Sequence, residues 1–276
     1  MTDTVFTLHK FRYLKVAFVL IVISIGMYIF HTPLGQPNGG TWVGFTLGIF
    51  GALLIVWLAW FGIRKRRYGL GKMTLQEWLS AHVYLGLSLI VIATLHTGFQ
   101  VGWNVHTLSY VLMLVVIFSG LYGIYLYVQL PHAMTRNRGG LTLEEIMGSI
   151  SEMDRDCQAY AIKLGDEIND LAREAAENTG IGGSPLRQLS GVDPNCPTAR
   201  ALERTRDLTK SLTGEEAGVA RDLVLMLARK NELLRTARRD VKFRAWLNVW
   251  LIVHVPLSIA LLVTLVIHIV SVFYYR

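Results

Sequence analysis

Apolar positions along the chain fall into five long unbroken runs, roughly Tyr13–Phe30, Trp42–Ile63, Glu77–Phe99, Thr107–Leu130 and Trp246–Tyr274. Each is long enough to cross a hydrocarbon layer as a helix, which needs about 20 residues. Between the fourth and fifth runs the pattern changes. From Leu143 the apolar residues recur at steps of three and four (Ile146, Ile150, Met153, Cys157, Tyr160, Leu164, Ile168, Leu171), which predicts one long amphipathic helix. Gly180-Ile181-Gly182-Gly183-Ser184-Pro185 ends it, and the chain to Pro197 reads as loop. A short helix over Ala199–Leu212 follows, and Val219, Leu223, Met226, Leu233 and Ala237 then continue in helical phase towards the fifth run. The expectation is an all-α integral membrane protein. An N-terminal anchor (1–41), a bundle of spans (42–130 and 246–276) and a helical hairpin insert (131–245) compose it.

Polar punctuation supports those boundaries. Thr74-Leu75-Gln76-Glu77, Thr142–Glu145 and Thr213–Glu216 each place a threonine three residues before a glutamate, the capping-box arrangement that opens a helix. Pro131 closes the fourth span, and Pro256 predicts a kink in the fifth. The first run has a basic flank (Lys10, Arg12, Lys15) but a long apolar core and no small-residue cleavage site, so it is expected to stay as a span.

Charge adds an orientation. Outside 131–245 the only acids are Asp3 and Glu77, and the short loop Arg64-Lys65-Arg66-Arg67 is strongly basic, whereas loops 31–41 and 100–106 contain neither Lys nor Arg. The positive-inside rule puts the N-terminus, the basic loop and the insert in the cytoplasm and the C-terminus in the periplasm of a bacterial inner membrane. The net charge of +7 thus follows topology, and nucleic acid is not an expected partner, because basic and acidic residues balance within the insert. Cys157 and Cys196, the only cysteines, lie in that compartment and are expected to be unpaired. There is no Cys-x-x-Cys-His to anchor a haem covalently.

Histidine placement changes the picture most. Four of eight histidines lie inside spans, as two pairs with the same separation of 14 positions: His82/His96 in the third and His254/His268 in the fifth. On a helix that separation is just under four turns, so both rings of a pair share a face about 21 Å apart along the axis. Each pair lies at a matching depth, His82 level with His254 and His96 level with His268. A single intramembrane histidine is most simply a packing residue. Four are costly to bury without partners, and two irons, each held by one ring from each helix, would partner all four with no open coordination site. Zinc and a proton relay are the alternatives, and the relay has no intramembrane carboxylate to use.

Small residues repeat the interval. Gly48 and Gly62 on the second span, and Ser109 and Gly123 on the fourth, are each 14 apart. They read either as close helix packing or as room for two flat macrocycles. Arg64 and Arg67, with Arg138 and Arg244, orient the chain or neutralise propionates. His9, His31 and His132 read as boundary residues, and His106 as a boundary residue or a partner for a propionate or a quinone. Trp103, Asn104, Tyr274, Tyr275 and Arg276 read as an interfacial belt.

These motifs resemble the dihaem b-type cytochromes: the cytochrome b of quinol-oxidising complexes, the cytochrome b subunits of formate dehydrogenases and hydrogenases, and ferric-reductase-like transmembrane proteins. The resemblance rests on His82/His96, His254/His268 and the glycine interval, over roughly 42–130 and 246–274. It implies two haem b groups, one held by His82/His254 and one by His96/His268. It further implies electron conduction between a cytoplasmic dehydrogenase, an iron–sulfur protein or quinone and an outer-face partner such as a c-type cytochrome. The chain has no Pro-Glu-Trp-Tyr stretch, and no flavin or NADPH domain follows the fifth span, so the expectation is a subunit that borrows its donor and acceptor. Two other classes compete: a haem-free scaffold or signalling protein working through its coiled hairpin, and a transporter, which the lack of intramembrane acids disfavours.

Overall fold

The computed structural model describes residues 7–33, 35–64 and 73–274. Every regular element among them is helical. They are α1 (Leu8–Ile29), α2 (Trp42–Ala59), α3 (Phe61–Arg64), α4 (Leu75–Thr97), α5 (Val105–Arg138), α6 (Leu143–Ala161), α7 (Asp166–Glu177), α8 (Pro185–Ser190), α9 (Pro197–Thr209) and α10 (Gly214–Tyr274). Five helical stretches are long and apolar enough to cross a membrane: α1, α2 with α3, α4, and parts of α5 and α10. The protein is read as membrane-embedded.

The chain divides into two compact units, residues 1–124 with 251–276, and residues 125–250. In the first, α4 starts where its sequence says it should. The Thr74 side chain accepts from the Glu77 amide, and the Glu77 carboxylate accepts from the Thr74 amide, which satisfies two of the donors a helix start leaves unpaired. It stops at Gly98, whose φ of 59° is the left-handed cap that glycine adopts without steric cost. Helix α1 is more than a peripheral anchor. It packs along α4, and its Met27 and Tyr28 join a core of Val43, Leu47, Ile92 and Leu95. A second core takes one buried residue from each of four helices: Leu58 of α2, Leu89 of α4, Met113 of α5 and Leu261 of α10. Outward faces such as Phe18, Phe50, Phe118 and Val266 stay exposed, as lipid-facing positions do. Helix α10 runs through Pro256 without interruption.

The second unit is a small helical domain with its own core. Residues 143–171 do not form the single helix that the apolar pattern predicts. Ile162–Gly165 breaks it into α6 and α7, and Leu164 and Ile168 both still enter the same core as Cys157, Ala172, Leu223 and Leu227. The turn lets the chain fold back on itself while keeping its apolar positions facing inward. The expected loop before Pro197 contains the short helix α8, capped by Ser184. Buried charges are paired within this unit: Lys230 with Asp154 and the Ala175 carbonyl, Asp240 with Arg138 and Asn137, Arg238 with Asp193 and the Gly180 carbonyl. Such pairs contribute little net stability but are costly to break singly. Cys157 and Cys196 are buried and free.

Candidate functional site

The four intramembrane histidines lie in the first unit, at two levels of the bundle. At one level the rings of His96 and His268 are 6.0 Å apart, centre to centre, and steeply inclined at 77°. Two imidazoles bound to opposite sides of one metal ion, each nitrogen about 2 Å from it, have ring centres about 6 Å apart. Each ring is held by its Nδ1. His96 Nδ1 lies 2.7 Å from the Gly44 carbonyl, an acceptor, so this nitrogen carries the proton. His268 Nδ1 lies 2.6 Å from Nδ1 of His106, one donating to the other. Among the described residues neither ring makes a hydrogen bond through Nε2. A histidine fixed through one nitrogen and open at the other is the arrangement that orients a ligand towards a metal.

Space accompanies that orientation. A cavity of about 710 Å³ is lined by His96, His268, His106, Gly48, Ser109 and Tyr110, among others, within the size range of clefts that hold cofactor-sized molecules. Gly48 is required here by close approach: a Cβ at this position would fall 2.6 Å from Cε1 of His96. Gly39, from the loop before α2, approaches the same ring, its Cβ position 3.1 Å from Cε1. Ser109 is buried, and its hydroxyl ties α5 to α10 by donating to the Thr264 carbonyl at 3.1 Å as well as to Val105 at 2.9 Å.

The other level is built differently. His82 and His254, at matching positions along α4 and α10 relative to His96 and His268, form it. His254 Nδ1 is 2.7 Å from the Ser119 hydroxyl, and a Cβ at Gly120 would sit 3.5 Å from its Cε1. His82 packs against Phe61, with ring centres 5.1 Å apart, and the Leu58 backbone faces it. Its Nδ1 is nevertheless buried without a hydrogen-bond partner, a condition that ordinarily has an explanation such as a bound group. Neither ring lines the cavity of the first level.

Between the levels lies a layer of packed side chains, of which Leu89, Met113 and Leu261 also line the cavity of the first level. Leu89 lies seven residues from both His82 and His96, and Leu261 seven from both His254 and His268; with Leu58 and Met113 they form the four-helix core described above. Ile55 and Val116, midway between the paired small residues on α2 and α5, pack against the same core.

The remaining sequence candidates fall as follows. Gly62 has nothing within 4 Å of a Cβ position, so no neighbour demands a glycine there. Gly123 is buried, but it is Gly120 that touches a histidine ring. Arg64 donates to the Met73 carbonyl at 3.2 Å. Arg67, with the rest of that basic loop, lies outside the described residues, as do Tyr275, Arg276 and the side chains of His9 and His132. Arg138 is engaged by Asp240, and Arg244 is exposed. The contributions of the Gly44 carbonyl, Ser119, Gly120 and His106 to the ring positions had no signal in the spacing. Among the described residues no group of three or more His, Cys, Asp or Glu is arranged to hold a metal ion. A structural zinc site takes four protein ligands, so the zinc reading lacks a donor set, whereas a haem supplies four of its iron's six ligands itself.

No family model, no curated protein and no solved structure matches the chain. The resemblance to dihaem cytochromes therefore rests on the residue pattern alone.

Proposed function

We propose that the protein is a dihaem membrane subunit that conducts electrons across a bacterial inner membrane. The observation that carries the reading is the His96/His268 level. It has two rings about one metal ion's width apart, each fixed through Nδ1 and open at Nε2, beside a cavity and a glycine that the His96 ring cannot do without. His96 and His268 would hold one haem b, and His82 and His254 a second. A bis-histidine haem supplies reversible one-electron chemistry with no open site for substrate. The chain's own residues do the rest. The Gly44 carbonyl, Ser119 and His106 hold the rings in orientation.

In this reading the insert is cytoplasmic and docks a dehydrogenase or iron–sulfur partner, and the far end of the bundle meets a c-type cytochrome or a similar acceptor. Quinone is an optional partner at either end. A reduced-minus-oxidised visible spectrum with a pyridine haemochrome assay tests the reading on the purified full chain. Two haems b per chain are expected; a colourless protein leaves the four histidines as packing residues and ends the proposal.

A further inference from the structure

The second unit ends, at its span-proximal edge, in a surface with an unusual combination of side chains. The last charged residue before the uncharged stretch of α10 is Arg244, and Trp246, of the residue type that favours the membrane interface, follows two positions later. Four residues before Trp246, Lys242 packs on the loop that follows α8. A Cβ at Gly191 would lie 3.0 Å from Lys242 Cδ, and 3.6 Å from the Arg238 carbonyl. Four helical residues span about 6 Å, and the headgroup layer on each side of a bilayer is about 5–8 Å thick. With Trp246 at the interface, a loop level with Lys242 falls within headgroup depth.

That loop carries apolar side chains with nothing to bury them. Leu186 is 79% exposed and Val192 is 63% exposed, on either side of Gly191. Its attachment is firm. Ile181 and Cys196 join the core of Ile146, Ile150, Leu234 and Ala237, and Asp193 is held by Arg187 and Arg238. A rigid loop with two projecting apolar residues is therefore fixed in place. Lys242, on the face of α10 that meets the loop, has no ion-pair partner among the described residues. Leu225, also on α10 and 68% exposed, lies 21 residues before Trp246, about 31 Å from it, and has no such setting.

We propose that the α8 loop is a lipid-binding surface, with Leu186 and Val192 seated among the headgroups of anionic phospholipid and Lys242 meeting their phosphates. Basic residues within a Debye length of an anionic leaflet are attracted to it, and apolar side chains at that depth are removed from water. The contact fixes the insert against the membrane from which α5 and α10 emerge. It requires that the chain be membrane-embedded and does not require haem, so it stands or falls separately from the electron-transfer reading.

Hydrogen exchange on the full chain in nanodiscs tests it, comparing phosphatidylcholine alone with discs rich in phosphatidylglycerol. Amides of 184–193 should exchange about fivefold more slowly in the anionic discs, and amides around Leu225 should not change. Leu186→Glu with Val192→Glu removes only exposed side chains and should abolish the difference at unchanged helix content. Equal exchange in both lipids, equal slowing around Leu225, protection that survives the double substitution, or protection that appears only when a protein partner is added would each overturn the proposal.

Discussion

The two histidine levels of the bundle share a spacing and little else. At His96/His268 the rings are held through Nδ1 by a backbone carbonyl and a third histidine, and a cavity opens beside them. At His82/His254 one ring is held by a serine hydroxyl, the other has a buried Nδ1 without a partner, and Phe61 lies against it. The difference teaches that an identical interval in sequence fixes only where rings point. What fixes and opens a ring is supplied by neighbours on other helices, and these differ at each level: α2 and α5 at the first, α3 and α5 at the second.

The comparison is broken most directly by removing ligands one level at a time. His268→Ala should halve the haem content and leave the spectrum of the other level, and His254→Ala should do the converse; loss of both haems from either variant would mean that the levels are not separate sites. Glycine replacement is the next largest effect. Gly48→Val puts side-chain atoms where the His96 ring lies, which costs about 1–3 kcal/mol of overpacking and should empty the first level alone. Gly62→Val, with open space around it, should retain both haems, and equal loss from the two variants would show that the glycine contact does not matter.

Smaller effects sharpen the contrast further. Ser119→Ala should weaken haem retention at the second level about tenfold, measured by the rate of haem transfer to an acceptor protein, and leave the first level unchanged. His106→Ala should act in the opposite sense, on the first level only. Leu58→Ala, in the packed layer between them and outside the lining of the cavity, should cost about 2–5 kcal/mol of thermal stability with haem stoichiometry intact. Loss of one haem with that substitution would show that the layer belongs to a site.

How much of this could be read from sequence depended on whether the signal was local. The five spans and the two capping boxes at Thr74 and Thr142 are set by residues close in sequence, and polar or apolar identity suffices to place them. The break between α6 and α7 was hidden because Leu164 and Ile168 keep the four-residue step across Gly165, so periodicity alone cannot tell a bend from a continuous helix. Ser119 and Gly120 were missed for a related reason. Extending the 14-residue interval to α5 selects Ser109 and Gly123, yet a ring contact depends on how α5 is rotated against α10, and the pair four and three positions before Gly123 is the one that meets His254. The Gly44 carbonyl has no side chain to announce it, and His106 comes to His268 only because two helices far apart in sequence end side by side.

The apolar waist of the bundle sets the electrical character of whatever passes through it. Leu58, Leu89, Met113 and Leu261 offer no group that can relay a proton, and the one carboxylate of the five apolar runs, Glu77, lies at the very start of the third. An electron crossing this layer would travel without a compensating ion, so each turnover would charge the membrane, and a standing voltage of 100 mV would oppose or assist full transit by about 2.3 kcal/mol. Reconstituted into tight vesicles with a reductant on one side and an oxidant on the other, such a wire would run until its own potential stopped it, and an ionophore would set it running again.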